Sequence, residues 1–152
     1  MSQLHFGEFF DALLLLHRGR AQEAFELLGA PPEEFTEWFN GMWRPWYAGL
    51  WAEAAVLTGH PAAPDRIERA YRSAAGNPVA TAVVDRAAAL AAGDGRQDVD
   101  RDSLTRVADV LHTSGCRYQW ARTLVFLGGR HRLRGESVLT AMGATPMAWP
   151  PG

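Results

Sequence analysis

The fold is decided by a short phrase, Trp51-Ala-Glu-Ala-Ala-Val-Leu-Thr-Gly59, that returns twice further along the chain. It recurs as Asp85-Arg-Ala-Ala-Ala-Leu-Ala-Ala-Gly93 and, more loosely, as Trp120-Ala-Arg-Thr-Leu-Val-Phe-Leu-Gly128. Each phrase consists mainly of small or apolar residues and ends at a glycine, which commonly stops a helix. The closing glycines are 34 and then 35 residues apart, so the chain carries an internal repeat.

A repeat of this length is typical of arrays of helical hairpins, in which each pair of helices buries one face against the next pair. We therefore predict an all-α fold of antiparallel helical hairpins, stacked as a tetratricopeptide-like right-handed solenoid segment. Residues 1–143 should form this single domain, and the proline-rich residues 144–152 should form a tail that frays. The alanines of the phrases should let neighbouring helices approach closely.

Apolar spacing and helix-breaking residues place three helices before the repeats, at 3–18, 21–28 and 32–39. A bend should follow, and the next long helix should begin near Arg44 or Pro45, because proline is tolerated in a first turn. In the first helix, the expected apolar face consists of Phe6, Phe9, Phe10, Leu13, Leu14 and His17.

Capping residues define the later helices. Asn77 precedes a proline and is expected to cap one helix, and Asp100 is expected to cap the helix after it. The predicted helices span 45–58, 62–75, 78–92, 101–114, 118–128 and 131–142.

Composition excludes several classes of protein. The 152 residues are 47% hydrophobic and 21% charged, as in one globular domain. The N-terminal apolar run, Ala12–Leu16, is too short for a membrane span or the core of a signal peptide. All 15 basic residues are arginine, so a phosphate-binding loop or a Schiff-base enzyme would lack its lysine. Cys116 is the single cysteine and cannot form an internal disulfide, so we expect a cytoplasmic protein.

The sequence contains no constellation typical of catalysis or metal binding. The five histidines include no pair at the spacing of a helical zinc site, and Cys116 has no Cys-x-x-Cys partner. His112 precedes Cys116 by one helical turn, but Gly115 should break the helix between them. We therefore predict a non-enzymatic protein that uses no metal and no cofactor.

Six segments of the sequence resemble segments of a known family. The phrases are Leu16-His-Arg-Gly-Arg-Ala-Gln-Glu-Ala24, Trp51–Gly59, Asn77-Pro-Val-Ala80, Asp85–Leu90, Tyr118-Gln-Trp-Ala-Arg-Thr-Leu124 through Gly135, and Leu139-Thr-Ala-Met-Gly-Ala144. Together they resemble the tetratricopeptide-like helical region of large bacterial regulators of the LuxR and MalT kind, including actinobacterial proteins that join a cyclase, an ATPase and this region. The chain has no phosphate loop, no cyclase signature and no evident helix-turn-helix after Met142. The resemblance therefore implies a regulatory array, either part of such a regulator or alone, and no catalytic residue.

Aromatic residues concentrate around the start of the first phrase, where four of the six tryptophans lie. Two interpretations stay open. As core, Trp38, Trp43 and Trp51 would fill the seam between the first hairpin and the repeats. As a site, Trp46 and Tyr47 would line a groove, because large rigid aromatic side chains are enriched at interface hot spots.

Charge is unevenly distributed along the chain. Residues 1–60 hold eight acids and three arginines, whereas the remainder has a net charge of +3. Much of this positive charge lies in an acid-free segment, in Arg117, Arg122, Arg130, Arg132 and Arg134. The segment is open to interpretation as a solvated helix face, as a surface for an acidic partner or as a nucleic-acid surface, and the overall charge of −2 argues against the last.

Glu53, Arg86 and Arg122 lie at nearly equivalent positions of the three phrases. Charges inside such alanine-rich helices should be partly buried, and a buried charge needs a partner. We therefore predict that a Glu–Arg pair, with Glu53 and Arg86 as the first candidates, ties adjacent hairpins together.

These features favour a protein-interaction or regulatory sensor module. Its partner would be a protein, a peptide or another domain of the same regulator, and neither nucleic acid nor a membrane is expected. The alternative is a small-molecule effector-binding module with an aromatic pocket. An array cut from a longer one would expose apolar faces at its terminal hairpins, so a homodimer is a further option. The candidate binding residues are Trp43, Trp46, Tyr47, Tyr118, Arg122, Arg130, Arg132 and Arg134.

Overall fold

The computed structural model describes residues 6–35, 38–93 and 99–150, and it contains no strand in these ranges. The all-α prediction is confirmed. None of the described helices is long and apolar enough to cross a membrane. The α-helices are α1 (Phe6–His17), α2 (Ala21–Leu27), α3 (Trp38–Leu57), α4 (Ala63–Ala74), α5 (Pro78–Ala92), α6 (Arg101–Thr113), α7 (Arg117–Leu127) and α8 (Gly129–Ala141), with a 3-10 turn at Pro32–Glu34.

Consecutive helices pack in pairs. The contacts of α1 with α2, α3 with α4, α5 with α6 and α7 with α8 make four hairpins. Between hairpins, α2 contacts α3, α4 contacts α5 and α6 contacts α7, while α3 also packs along α5. Each hairpin therefore contacts the one before it in the chain, and α3, α5 and α7 are the first helices of the last three pairs.

Both predicted caps are present. The side chain of Asn77 accepts a hydrogen bond from the backbone N–H of Ala80 at 3.0 Å, at the start of α5. Asp100 accepts from the N–H of Ser103 at 3.0 Å, at the start of α6. After α3, Gly59 has a φ of +64°, a conformation that other residues adopt only with strain. These local signals fix where the helices begin and end.

The long helix begins earlier than predicted. α3 starts at Trp38, so Pro45 lies inside the helix rather than in its first turn. Proline has no N–H for the carbonyl four residues back, which normally disfavours such a position. The packing of α3 against four other helices outweighs this local preference. The helix predicted at 32–39 is reduced to the 3-10 turn at Pro32–Glu34, and residues 36 and 37 lie outside the described ranges.

The buried stripe of α1 is narrower than predicted. Ala12 and Leu16 are buried, whereas Phe10 and Leu14 are 51% and 44% exposed. The prediction is wrong for Phe10 and Leu14, because α1 packs mainly on α2 and α3 and these neighbours cover only one stripe. The side chain of Phe6 lies outside the described part.

Trp51 belongs to the core, as one of the two interpretations predicted. Its side chain is almost fully buried, together with residues of α1 and α2. The guanidinium of Arg66, on α4, lies 4.5 Å from the Trp51 ring and 4.2 Å from the Phe25 ring, and its Nη1 donates to the Trp51 carbonyl at 3.0 Å. These contacts join the first two hairpins. The side chain of Trp38 lies outside the described part.

Glycines mark two of the closest approaches between helices. A Cβ atom at Gly49, on α3, would lie 2.6 Å from Cγ1 of Val83 on α5. A Cβ atom at Gly135, on α8, would lie 2.6 Å from the carbonyl oxygen of Ala121 on α7. Of the phrase alanines expected to allow close packing, those at 54, 55 and 89 are buried and Ala88 is half-buried, but at these two contacts even the Cβ atom of alanine would be too close to its neighbour.

The proline-rich tail does not fray as predicted. Residues 144–150, here called the docked segment, run back over the domain, and Met147 is 4% exposed. The backbone N–H of Ala148 donates to the carbonyl of His17, at the end of α1, at 3.0 Å. Residues 151 and 152 lie outside the described ranges.

Candidate functional site

A buried charge network joins three hairpins. Glu53 on α3, Arg86 on α5 and Arg122 on α7 are each 0% exposed. Nε of Arg86 donates to Oε1 of Glu53 at 3.0 Å, and Nη1 of Arg122 donates to Oε2 of Glu53 at 3.2 Å. The pair that the repeat spacing suggested is therefore in contact, and a third helix joins it.

The two arginines differ in how well they are paired. Arg86 uses all three nitrogens: besides Glu53, it donates to the carbonyl and side-chain oxygens of Gln119 and to Oγ1 of Thr123 at 2.8–3.3 Å. Arg122 uses only Nη1, which is shared between Glu53 and Oε1 of Gln119. Its Nε and Nη2 are buried, and the described residues offer them no acceptor.

The network has two cations and one anion, so it carries one surplus positive charge. Burial raises the pKa of Glu53, but the nearby charges of Arg122 and Arg86 outweigh it and hold the pKa below its usual value. Burial lowers the pKa of Arg86 to about 10, and the charge of Glu53 opposes that change. Glu53 and Arg86 are therefore both ionised at neutral pH. The ring of Phe126 lies 5.6 and 5.5 Å from the two guanidinium carbons, within cation–π distance.

His17 links the first hairpin, the last hairpin and the docked segment. Its Nε2 lies 2.7 Å from the Thr145 carbonyl oxygen, and its Nδ1 lies 2.8 Å from the Tyr118 hydroxyl. A carbonyl only accepts, so in the neutral ring Nε2 carries the proton and Nδ1 accepts from Tyr118. Burial raises the pKa of Tyr118, although the charges of Arg122 and Arg86 oppose it, so the hydroxyl keeps its proton.

The docked segment packs against the core of α5–α8 and against Phe126. The side chain of Met147 belongs to the core cluster of α5–α8. The Trp149 ring stands edge-on to Phe126, with 4.7 Å between ring centroids, and its carbonyl accepts from Nη1 of Arg132 at 3.0 Å. Phe126 therefore contacts both Trp149 and the two buried guanidiniums of Arg86 and Arg122.

The predicted aromatic candidates do not form a common binding surface. Tyr47 is 2% exposed, its hydroxyl donates to the Ala30 carbonyl at 2.7 Å, and its ring is edge-on to Phe35. The prediction that Tyr47 lines a groove is wrong in this structure, because the phenol finds its acceptor inside the fold. Trp43 and Trp46 are half-buried.

The arginine candidates fall into three environments. Arg130 and Arg134 are exposed, and Arg134 lies 5.1 Å from the ring of Trp120. Arg132 is half-buried beside the docked segment. Arg122 is buried with Glu53, so its prediction as a surface residue is corrected. Tyr118 is half-buried and faces His17.

Sequence reasoning missed several residues of this region. The sequence places Met147 and Trp149 in a tail, and no pattern in it distinguishes Gln119, Thr123 or Phe126. His17 did stand on the predicted apolar face of α1, and a histidine on such a face was the available sign that it is buried.

Two pockets lie apart from the aromatic candidates. One, of about 720 Å³, is bounded by residues 19–23, residues 56–60, the end of α5 and Pro150 of the docked segment. The other, of about 450 Å³, lies among α4, α5 and α6. Neither is lined by Trp43, Trp46 or Tyr47. In the described part of the chain, no three His, Cys, Asp or Glu residues are grouped so that they would hold a metal ion.

No protein-family model, curated protein or solved structure shows a significant match to the chain. The regulator family that the six phrases resemble therefore stays a prediction, and the functional argument depends on the geometry above.

Proposed function

We propose that the chain is a non-enzymatic protein-interaction or regulatory sensor module, built as a tetratricopeptide-like right-handed solenoid segment. The observation that carries the proposal is the docked segment. Its residues 144–150 form neither helix nor strand and lie against the end of α1 and against α7 and α8, so the domain already holds a peptide of its own chain. A scaffold that holds one such peptide is suited to bind another.

The buried network supports the same proposal. Glu53, Arg86 and Arg122 join the first helices of three hairpins into one body, and such first helices are the ones that line the concave face of a hairpin solenoid. A rigid surface loses little entropy when a partner docks, which favours affinity.

The regulatory part of the proposal follows from the resemblance to the LuxR- and MalT-type regulators. A cytoplasmic protein or peptide, or another domain of the same regulator, is the partner that this family implies. A homodimer is compatible with the exposed apolar residues of the terminal hairpins, which include Phe10 and Leu14 of α1 and Leu133 of α8. The alternative function, binding of a small effector, would use the pocket of about 720 Å³ rather than an aromatic one.

Selection from a displayed random-peptide library tests the proposal. The bait is the folded chain, used both unchanged and with Met147 and Trp149 replaced by alanine so that the site is not occupied by the docked segment. We expect related sequences to be enriched, with micromolar affinity for the folded chain and none for the heat-unfolded chain. The proposal is wrong if neither bait enriches any sequence family above an unrelated helical protein.

A further inference from the structure

The docked segment is held through its main chain. Ala144, next to α8, donates its N–H to the Leu139 carbonyl, and further along the segment the Thr145 carbonyl, the Ala148 N–H and the Trp149 carbonyl are bonded to the domain. The partners of the last three are His17, whose ring N–H donates and whose carbonyl accepts, and Arg132, which donates. Every peptide has the same main-chain groups, so these contacts do not require this particular sequence.

Side-chain packing supplies the remaining attachment. Met147 is buried in the cluster of α5–α8, and Trp149 packs edge-on against Phe126. Ala148, between them, is exposed. The site therefore accepts two apolar anchors that are two residues apart, with an exposed residue between them.

The docked segment does not match the charge of the site. Residues 144–150 contain no charged side chain. The neighbouring helix carries Arg130, Arg132 and Arg134, with Glu136 pairing only with Arg132 among them. Beneath Phe126, Arg122 has a guanidinium with two buried donors for which the described residues provide no acceptor. A peptide with acidic residues would find a favourable potential here that the neutral segment does not use.

We propose that the groove between the end of α1 and helices α7 and α8 is the docking site for a partner segment that has two apolar anchors two residues apart and acidic flanks. Residues 144–150 are its resident competitor, which the partner displaces. This inference rests on the proposed function and adds to it the site, the chemistry of the partner and a means of regulation.

Labelled peptides test the inference. Each contains the sequence of residues 144–150, flanked at both ends by two glutamates or by two lysines. We expect the glutamate-flanked peptide to bind the chain carrying Met147→Ala and Trp149→Ala on the order of tenfold more tightly than the unchanged chain, because the resident segment occupies the site for most of the time. The lysine-flanked peptide should bind about fivefold or more weakly at low salt, and the difference should shrink as salt is added.

Matched controls make the result specific. Leu133→Ala removes an apolar side chain of α8 that is 68% exposed, and this variant should bind the peptide as tightly as the unchanged chain does. A peptide in which the methionine and the tryptophan are alanine should not bind. Equal affinity for the released and the unchanged chain, or equal affinity of the two flanked peptides at low salt, overturns the inference.

The unchanged chain gives an independent readout in case the double variant does not fold. In a methyl NMR spectrum, saturation with the glutamate-flanked peptide should move the Met147 signal to its random-coil position, while the signal of the exposed Met142 stays in place. A Met147 signal that does not move contradicts displacement. If the Met147 signal moves to its random-coil position when the protein is concentrated, without added peptide, the occupant of the site is a second copy of the chain and the inference is wrong. If library peptides bind but do not compete with the 144–150 peptide, the proposed function stands and this inference fails.

Discussion

Replacing Arg122 with methionine should cost the protein little stability, whereas replacing Glu53 with glutamine should cost it a great deal. Both side chains are completely buried in the same network. The difference follows from the charge balance, because the network has two guanidiniums and one carboxylate.

The change in unfolding free energy on replacing Arg122 is the difference between the hydrogen bonds that are lost and the unfavourable burial that is relieved, and these two are of similar size. The substitution removes the bond from Nη1 to Glu53, which as a charge-assisted bond is worth about 1.5–3 kcal/mol, and a weaker one to Gln119. It also removes two buried donors without an acceptor, each of which costs about 1–3 kcal/mol, and the repulsion from Arg86. Methionine is flexible and fills much of the space. We expect a net change within about 1 kcal/mol of zero.

The cost at Glu53 has no such compensation. Glutamine would leave Arg86 and Arg122 as two buried cations with no anion between them. Breaking a buried ion pair by removing one partner costs about 3–5 kcal/mol. The loss should lie at the upper end of that range, because one carboxylate serves both arginines.

Urea unfolding, followed by circular dichroism, measures the free energy of unfolding of both variants. The comparison requires that the m-value is the same as in the unchanged chain. Arg72→Met is the matched control, since Arg72 forms an exposed pair with Glu68, and its loss should change stability by less than about 0.5 kcal/mol. A loss for Arg122→Met as large as that for Glu53→Gln would refute the reasoning. It would mean that the Arg122 guanidinium is fully compensated and that no surplus charge exists.

The remaining predictions concern pH, packing and hydrogen bonds. The lowered pKa of Glu53 means that its contribution to stability is complete above about pH 4.5 and is lost as pH falls through the folded-state value, so Glu53→Gln should flatten the acid side of a stability–pH curve. Gly49→Ala should cost about 1–3 kcal/mol in urea, and much less when Val83→Ala makes room; equal costs in the two backgrounds would contradict the close approach. Asn77→Ala should lower the free energy of unfolding in urea by about 1 kcal/mol, and Asn77→Asp should lower it less, because aspartate can still accept from the N–H of Ala80. Tyr47→Phe should cost about 1 kcal/mol in the same assay, and no change would mean that the hydroxyl bond is absent.

Local signals in the sequence predict the helices of this fold. The repeated phrase gives the hairpin length, the Asn77 side chain caps α5, and the spacing of the phrases brings Glu53 beside Arg86. Each of these depends on residues that are close in the chain or equivalent in the repeat, which is why pattern alone suffices.

The features that were not predicted depend on tertiary contacts. Pro45 lies inside α3 because packing overrides its local preference. The place of the docked segment is set by contacts such as that between His17 and Thr145, which are 128 residues apart. Surface and core aromatics look alike in a sequence, so the burial of Tyr47 also needed the structure. The candidate site could therefore be predicted only where it coincides with the repeat.

The central claim is that residues 144–150 lie in the groove as a bound peptide, and the exchange rate of one backbone amide tests it most directly. The N–H of Ala148 donates to the His17 carbonyl at 3.0 Å, although the Ala148 side chain is exposed. Hydrogen exchange followed by NMR should show this amide protected by on the order of tenfold relative to an unstructured peptide, since the segment is docked for most of the time. In the chain with Met147→Ala and Trp149→Ala the protection should disappear while that of α7 remains. An Ala148 amide that exchanges at the unstructured rate in the unchanged chain would contradict the account.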